Sequence, residues 1–414
     1  MTPSPHHDEP FVVRTTELEV PAGELLHLLP PDAPVTWLRR GEGLVGWGVA
    51  AMIRTSGSTR FSDASKWWSE LVARCEVHDT VQEPGSGPVC FGSFAFAAEP
   101  GDSVLLLPRY VIGVRGDRAW LTTVSAPTPD LAPTTPPPAP LVSFADGALN
   151  GEEWMSAVAD AVRRINDGDL EKVVLARDLI ATSDVDVDVR WPLQRLVASY
   201  PMCWTFHVDG LFGATPEMLL RRERGLVTSR VLAGTIRRTG EDERDLALAA
   251  ALARSSKDLE EHEYAVRSVA EALEPHCSGM NVPEAPFVLH LPNVMHLATD
   301  VAGVVNDADQ VSSLELAEAL HPSAAVGGTP TAEAAALIAE IEGMDRGRYA
   351  GPVGWMDASG DGEWGIALRS ASVDGDTVRL FAGCGIVGDS DPEAELAEAQ
   401  AKFVPVRDAL GPAT

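Results

Sequence analysis

The stretch GEEWMSAVADAVRRINDGDLEKVVLARDLIAT, residues 151–182, sets the fold class. Its first half carries the apolar periodicity of an amphipathic helix, Asn166-Asp167-Gly168-Asp169 supplies turn residues, and the remainder is an apolar strand pattern. The spacing predicts helix, turn, strand, with Lys172 placed immediately before Val173-Val174-Leu175-Ala176.

Working outward, further strands are expected around CWTFHV (203–208), LFGATPEMLL (211–220) and VTSRVLAGTI (227–236). A long helical stretch runs from about Asp242 to Leu273, and another helix from about Thr331 to Ile341. Strands return at 351–358, 363–373 and 377–387, and a last helix covers about Pro392 to Leu410. On the N-terminal side, APTPDLAPTTPPPAP (126–140) reads as a connector, because proline favours extended backbone and forbids helix interiors. Before it, TWLRR, GLVGWGVAAMIR, VCFGSFAFA and SVLLLPRYVIGV are short apolar stretches separated by turn signals. The chain therefore divides into a strand-rich half (1–125), the connector (126–140) and a mixed region (141–414), and strands and helices in mixed order indicate an α+β fold.

Net charge of −29 over 414 residues argues against a nucleic-acid or anionic-membrane surface, which requires a basic patch, while leaving room for a locally cationic pocket. No apolar run is long enough to span a bilayer and the N-terminus lacks a signal-peptide pattern, so a cytoplasmic location is expected. The five cysteines, Cys75, Cys90, Cys203, Cys277 and Cys384, are widely spaced with no C-x-x-C pair, which points to neither a disulfide framework nor a zinc site.

Only four lysines occur, Lys66, Lys172, Lys257 and Lys402, against 28 arginines. A lysine can be desolvated toward neutrality and take a proton, whereas arginine stays charged, so each surviving lysine is either a candidate base or a chance survivor. Asp258, Glu261 and His262 share one helix face, as do Glu395, Glu398 and Lys402 on the last helix. Two acidic faces of this kind either meet around a hard divalent cation such as Mg²⁺ or are simply solvated. Glu217, between Phe212-Gly213-Ala214-Thr215-Pro216 and apolar Met218, Leu219 and Leu220, is either a desolvated general acid or an edge-strand carboxylate facing water. Arg369 is a fork for a ligand carboxylate or half of a structural ion pair. The glycines of AGT (233–235), VGG (326–328) and AGCG (382–385) allow close backbone approach to an anionic ligand.

Taken together, KVVLAR (172–177), FGATPE (212–217), LAGT (232–235), SSKDLEEH (255–262), MHLATD (295–300), LHPSAAVGGTP (320–330), RYAGPVGW (348–355), LRSA (368–371) and AGCGIVGDSDPEAELAE (382–398) resemble the chorismate-utilising enzymes, and within them the isochorismate synthases. The resemblance covers roughly residues 150 to 410. It implies a single large α+β body of two stacked antiparallel β-sheets surrounded by helices, binding chorismate with Mg²⁺. Residue by residue, Lys172 matches the lysine that activates water for attack at C2, and Glu217 the glutamate that protonates the departing 4-hydroxyl. Glu261 and Glu398 match magnesium-binding glutamates, with Asp258 and Glu395 supporting the metal through water. Arg369 and Tyr349 match groups that hold the enolpyruvyl carboxylate, Gly383 and Gly385 match backbone donors, and Lys402 a lysine close to the ring carboxylate. His296 and Thr235 match residues lining the pocket.

Two positions separate family branches. Aminating relatives typically have glutamine where Lys172 stands and work with a glutamine amidotransferase, which is not expected as a partner here. Aminating and salicylate-forming relatives tend to have threonine where Ala325 stands. Thr215 departs from the family's usual serine, with an extra methyl that should be tolerated. The resemblance thus favours an isomerase that interconverts chorismate and isochorismate, with salicylate synthase as the alternative. Isochorismate feeds menaquinone, catecholate siderophores and salicylate, and a monomer is the expected state.

Overall fold

The helix–turn–strand of residues 151–182 forms for reasons local to it. Asn150 caps the helix Gly151–Asp167 by accepting the Glu152 and Glu153 N–H groups at 2.9 and 3.1 Å, while the Glu153 carboxylate accepts the Asn150 N–H at 2.9 Å. Gly168 stops it, at a φ of 90° that a side chain would resist. Trp154, Val158 and Ala161, at helical spacing, are buried against the sheet, and the Trp154 indole donates to the Ala176 carbonyl at 3.1 Å. Each fully buried apolar side chain of this size contributes about 1.5–3 kcal/mol. This computed structural model describes residues 10–19, 25–137, 139–291, 294–306 and 311–411, without the side chains of Lys257 and Glu261.

The Lys172–Ser183 strand pairs antiparallel with Thr377–Ile386 along most of its length, and Gly328–Thr329 pairs with its first residues. From Thr377–Ile386 the hydrogen bonding continues through Ser370–Asp374, Leu211–Thr215 and Trp204–Val208 to Val35–Arg39, Glu42–Thr55 and Ser103–Arg115. It then returns through Val89–Ser93, Pro352–Asp357, Gly362–Ile366, Met218–Glu223 and Leu226–Arg237 to Val294–Val305. Among the described residues the one parallel pairing is Phe11–Glu17 with Cys75–Asp79.

The two antiparallel sheets expected from the resemblance are therefore two leaves of one 21-stranded network. The long Glu42–Thr55 and Ser103–Arg115 strands join them, with a register shift between Val49 and Ala51 that bends the ladder. The leaves pack face to face: Val35, Trp37, Trp204 and Phe206 of one share a core with Phe91, Met218, Val353 and Trp355 of the other. Strands from before the connector are interleaved with strands from after it, Val35–Arg39 beside Trp204–Val208 and Val89–Ser93 beside Pro352–Asp357.

The helical stretch expected from 242 to 273 is two helices, Asp242–Leu252 and Ser256–Leu273. Ser255 interrupts it by accepting the Asp258 N–H at 3.2 Å, starting a new helix where a continuous one was expected. The helices Thr331–Ile341 and Pro392–Leu410 match their sequence pattern, whereas Arg60–Val72, Arg190–Ser199 and Ser313–Ala319 were not anticipated. No helix among the described residues is long and apolar enough to cross a membrane.

Candidate active site

Interruptions in regular strands build the site. The strand expected over 211–220 breaks at Pro216-Glu217, where Thr215 Oγ1 accepts the Glu217 N–H at 3.2 Å and the Ile366 N–H donates to the Glu217 carbonyl at 3.2 Å. Thr215 thus does through its hydroxyl what serine would do, and its methyl is accommodated. Leu226–Arg237 carries a register shift between Ala233 and Thr235, where Gly234 adopts a φ of 75° and a Cβ would stand 3.1 Å from that of Asp258. The bulge brings the Ser256–Leu273 helix close to the sheet. Gly328 plays the same part at the start of the Lys172 strand, since a Cβ there would stand 2.2 Å from the Lys172 carbonyl oxygen.

Together these enclose a cavity of about 180 Å³, where a single water needs roughly 10–15 Å³ by the same measure. Its walls include Glu217, Thr235, Asp258, His296, Ala325, Tyr349, Arg369, Gly383, Gly385, Glu395, Glu398 and Lys402. Residues scattered over nearly two hundred positions of sequence thus converge as the motif order implied. Two expected residues are not placed on these walls. Lys172 is buried but not among the lining residues, although its charge acts on Glu217; the Glu261 side chain lies outside the described residues.

The electrostatics assign roles. Burial pushes the Glu217 carboxyl up to about 8, against a Leu232 backbone hydrogen bond and the cations Lys172, Lys402 and Arg369, so at neutral pH it holds a proton. His296 is lowered well below its ordinary value by burial and then by Arg369 and Lys402, which leaves a neutral imidazole. Its Nδ1 meets Thr235 Oγ1 at 3.0 Å, while Nε2 is buried without a hydrogen-bond partner. Arg369 sits at a φ of 50°, a conformation costing about 1–3 kcal/mol for a non-glycine residue, and its Nη1 is likewise buried and unpartnered. Buried polar atoms are nearly always paired, so these two are exceptions to the rule. Tyr349, pushed up to about 12 by burial, keeps its phenolic proton and stacks on Phe381 at 5.0 Å.

On the last helix Pro392–Leu410, capped where Asp391 accepts the Ala394 N–H at 3.0 Å, Ser390 donates to Glu395 at 2.8 Å. Glu398 pairs with Lys402 at 2.6 Å, and the Lys402 ammonium donates to the Gly383 carbonyl at 2.8 Å. Burial opposes the Lys402 charge, but its pKa is nevertheless raised by the acidic neighbours, so it stays a cation.

Sequence reasoning missed two contributors. Arg346 lines the cavity, pairs with buried Glu342 and donates to the carbonyls of Val174 and Val326, clamping the Lys172 strand to the 326 loop; Glu342 also accepts the Ala176 N–H. Its only signal was a Glu and an Arg four apart. Cys384 places its Sγ within 4.8 Å of the Glu395 and Glu398 carboxylates, and burial raises its pKa well above the ordinary thiol value.

The α+β body superposes on solved isochorismate synthases over 94% or more of its length, which places it with the chorismate binding enzymes. The sequence model of that family matches residues 35–136 and 131–411, and the chain belongs to it; it is an enzyme. It is 32% identical over 404 residues to isochorismate synthase MenF of Bacillus subtilis (strain 168), covering 89% of this chain and 85% of that one. To the salicylate biosynthesis isochorismate synthase of Pseudomonas aeruginosa it is 33% identical over 407 residues, covering 90% and 84%. The solved structure of MenF, the menaquinone-specific isochorismate synthase from Escherichia coli, superposes with a TM-score of 0.81 at 25% identity, covering 97% of this chain and 95% of that one.

Proposed function

We propose that the chain is an isochorismate synthase, a hydroxymutase that interconverts chorismate and isochorismate. The observation that carries the reading is Glu217, a buried carboxyl holding its proton near neutral pH in a cavity that also presents Arg369 and Lys402 to a dicarboxylate. Lys172, in its uncharged form, takes a proton from water as its oxygen bonds to C2 of the ring; the ring double bonds shift, and the C4–oxygen bond breaks as Glu217 gives its proton to the departing hydroxyl. One water enters and one leaves, so no redox partner is needed. Arg369 and Tyr349 hold the enolpyruvyl carboxylate, with backbone donors at Gly383 and Gly385 nearby, and Lys402 lies close to the ring carboxylate.

The donor set is compatible with Mg²⁺, which takes hard oxygen ligands: Glu398, supported by Glu395 and Asp258, with Glu261, whose side chain lies outside the described residues, the remaining glutamate that the family resemblance implies. Protonated Cys384 adds no charge to that set. Bound there, the cation would neutralise the ring carboxylate. The protein acts on chorismate as a monomer in the cytoplasm, without an amidotransferase subunit; the names of similar proteins connect such enzymes to both menaquinone and salicylate routes.

Incubation with chorismate, with and without Mg²⁺, followed by chromatography with mass detection tests the reading. Isochorismate approaching a fixed ratio with chorismate is the expected result. Stoichiometric salicylate and pyruvate would instead establish the lyase that the Ala325 position argues against, and absence of any Mg²⁺-dependent product would refute the enzyme assignment.

A further inference from the structure

One edge of the Lys172–Ser183 strand pairs with Thr377–Ile386 almost throughout, but the other edge carries a gap. On that side Gly328–Thr329 pairs with Val173 and Lys172, and Val142–Asp146 pairs with residues 179–183, with no strand between them among the described residues. The outward groups of Val174 and Ala176 are nonetheless all bonded. The Val174 N–H donates to the Gly327 carbonyl at 2.8 Å, and the Val174 carbonyl accepts Arg346 Nη2 at 2.7 Å. The Ala176 N–H donates to Glu342 Oε1 at 2.7 Å, and the Ala176 carbonyl accepts the Trp154 indole. Side chains stand where a neighbouring strand would.

The Arg346 guanidinium also ties this strand to the rest of the cavity wall. Its Nη1 donates to the Val326 carbonyl at 3.0 Å, next to Ala325, and the Arg346 carbonyl accepts the Tyr349 N–H at 3.0 Å. The Arg346 and Glu342 side chains are only 2% and 1% exposed, are joined from Nε to Oε2 at 2.9 Å, and sit with the guanidinium over the Phe96 ring at 4.2 Å. Burial opposes the Arg346 charge and Glu342 outweighs it, so Arg346 stays a cation. A buried ion pair is seldom more stable than an apolar pair of similar volume, because desolvation of both charges offsets their attraction. What the planar fork supplies is geometry, since its donors point in fixed directions and hold two carbonyls at a set separation.

Building on the isochorismate synthase reading, we propose that Arg346 and Glu342 are positioning residues for water addition. They fix the Lys172 strand against the Ala325–Val326 loop and so set the reach of the base to C2 of the bound ring. Both act through the backbone at Val174, Ala176 and Val326 rather than on the reacting atoms. Misplacing a reacting group by about 1 Å costs about a hundredfold in rate, so the effect falls on turnover, while affinity for chorismate rests on Arg369 and Lys402.

The test compares wild-type protein with Arg346→Ala and with the double variant Glu342→Gln, Arg346→Met. The double variant strands no buried charge and its glutamine still accepts the Ala176 N–H, so it is expected to fold. Circular dichroism and denaturant unfolding give the folded fraction of each. Per folded molecule, both variants should lose about a hundredfold in kcat, with KM for chorismate changed by less than about threefold. Arg346 lines the cavity, so its truncation opens space reachable from it, and methylguanidinium should raise the kcat of Arg346→Ala about tenfold. A pair that only stabilises the fold would give neither result. A folded double variant with kcat within about threefold of wild type, a deficit that vanishes on correction for the folded fraction, or an Arg346→Ala deficit that methylguanidinium leaves unchanged would each overturn the proposal. Absence of isochorismate from the wild-type protein would refute the underlying reading instead, so the two failures are distinguishable.

Discussion

Glu217 and Lys172 carry the opposite roles of acid and base, and for Glu217 burial decides how the role is met. For Glu217 the folded pKa stands at about 8 against an ordinary 4.5, and burial is the cause. Between those values the folded state keeps a proton that the unfolded chain has released. The Glu217 contribution to stability is therefore fully present below about 4.5 and is lost as pH rises toward about 8. Glu217→Gln should flatten that part of the pH–stability profile in denaturant unfolding, while lowering turnover by about 10²–10⁴-fold, the range of a general acid. In the wild-type protein turnover should fall on the alkaline side of about 8, as the acid loses its proton. Lys172→Ala should abolish water addition by a comparable factor; near-normal isochorismate formation by that variant would remove lysine from the role of base.

At the scale of elements, the residues that shape the cavity do so through backbone more than through side chains. Gly328 has a φ of 148°, and a Cβ there would press on the Lys172 carbonyl at 2.2 Å and on Ala334 at 2.7 Å. Gly328→Ala should cost roughly 1–3 kcal/mol and displace the Lys172 strand, read as a lower melting temperature together with reduced turnover. The last helix carries the carboxylates: Glu398→Ala should sharply reduce the rise in melting temperature that Mg²⁺ produces, a readout independent of catalysis. An unaltered Mg²⁺ titration would exclude Glu398 as a ligand.

Much of this was legible in the sequence: the Lys172 strand as an apolar run after a glycine turn, the Thr331–Ile341 helix as an alanine-rich segment, and the Pro392–Leu410 helix with its Asp391 cap. The Arg190–Ser199 helix was not, lacking a side-chain cap, and the local mark of the short Ser313–Ala319 helix was the Ser312–Glu315 capping box alone. The Ser255 cap was concealed by a charged helical pattern running on both sides of it. Among site residues, the chemistry of Glu217 was visible as a polar position in an apolar run. The orphaned atoms of His296 and Arg369 were not, since they depend on which strands become neighbours.

For the whole molecule the deciding feature is interleaving. The strand-rich half reads in sequence as a unit set off by a proline connector, yet two of its strands are paired with strands from beyond it. A fragment ending at residue 125 would leave those edges and the shared Trp37–Trp355 core open to water. It should fail to fold alone, and the intact chain should unfold in one cooperative transition when fluorescence and circular dichroism are compared. A soluble, cooperatively folding 1–125 fragment would show that the leaves are independent. The charge of −29 also belongs to this scale: self-repulsion should make the melting temperature rise as salt is raised from low ionic strength.

The central claim is that one water enters at C2 while the 4-hydroxyl leaves. Single-turnover conversion of chorismate in ¹⁸O-enriched water tests it most directly. The account predicts isochorismate heavier by one ¹⁸O, with the label on the C2 hydroxyl; unlabelled isochorismate would mean that the original hydroxyl migrates within the substrate, and would contradict both the base role of Lys172 and the acid role of Glu217.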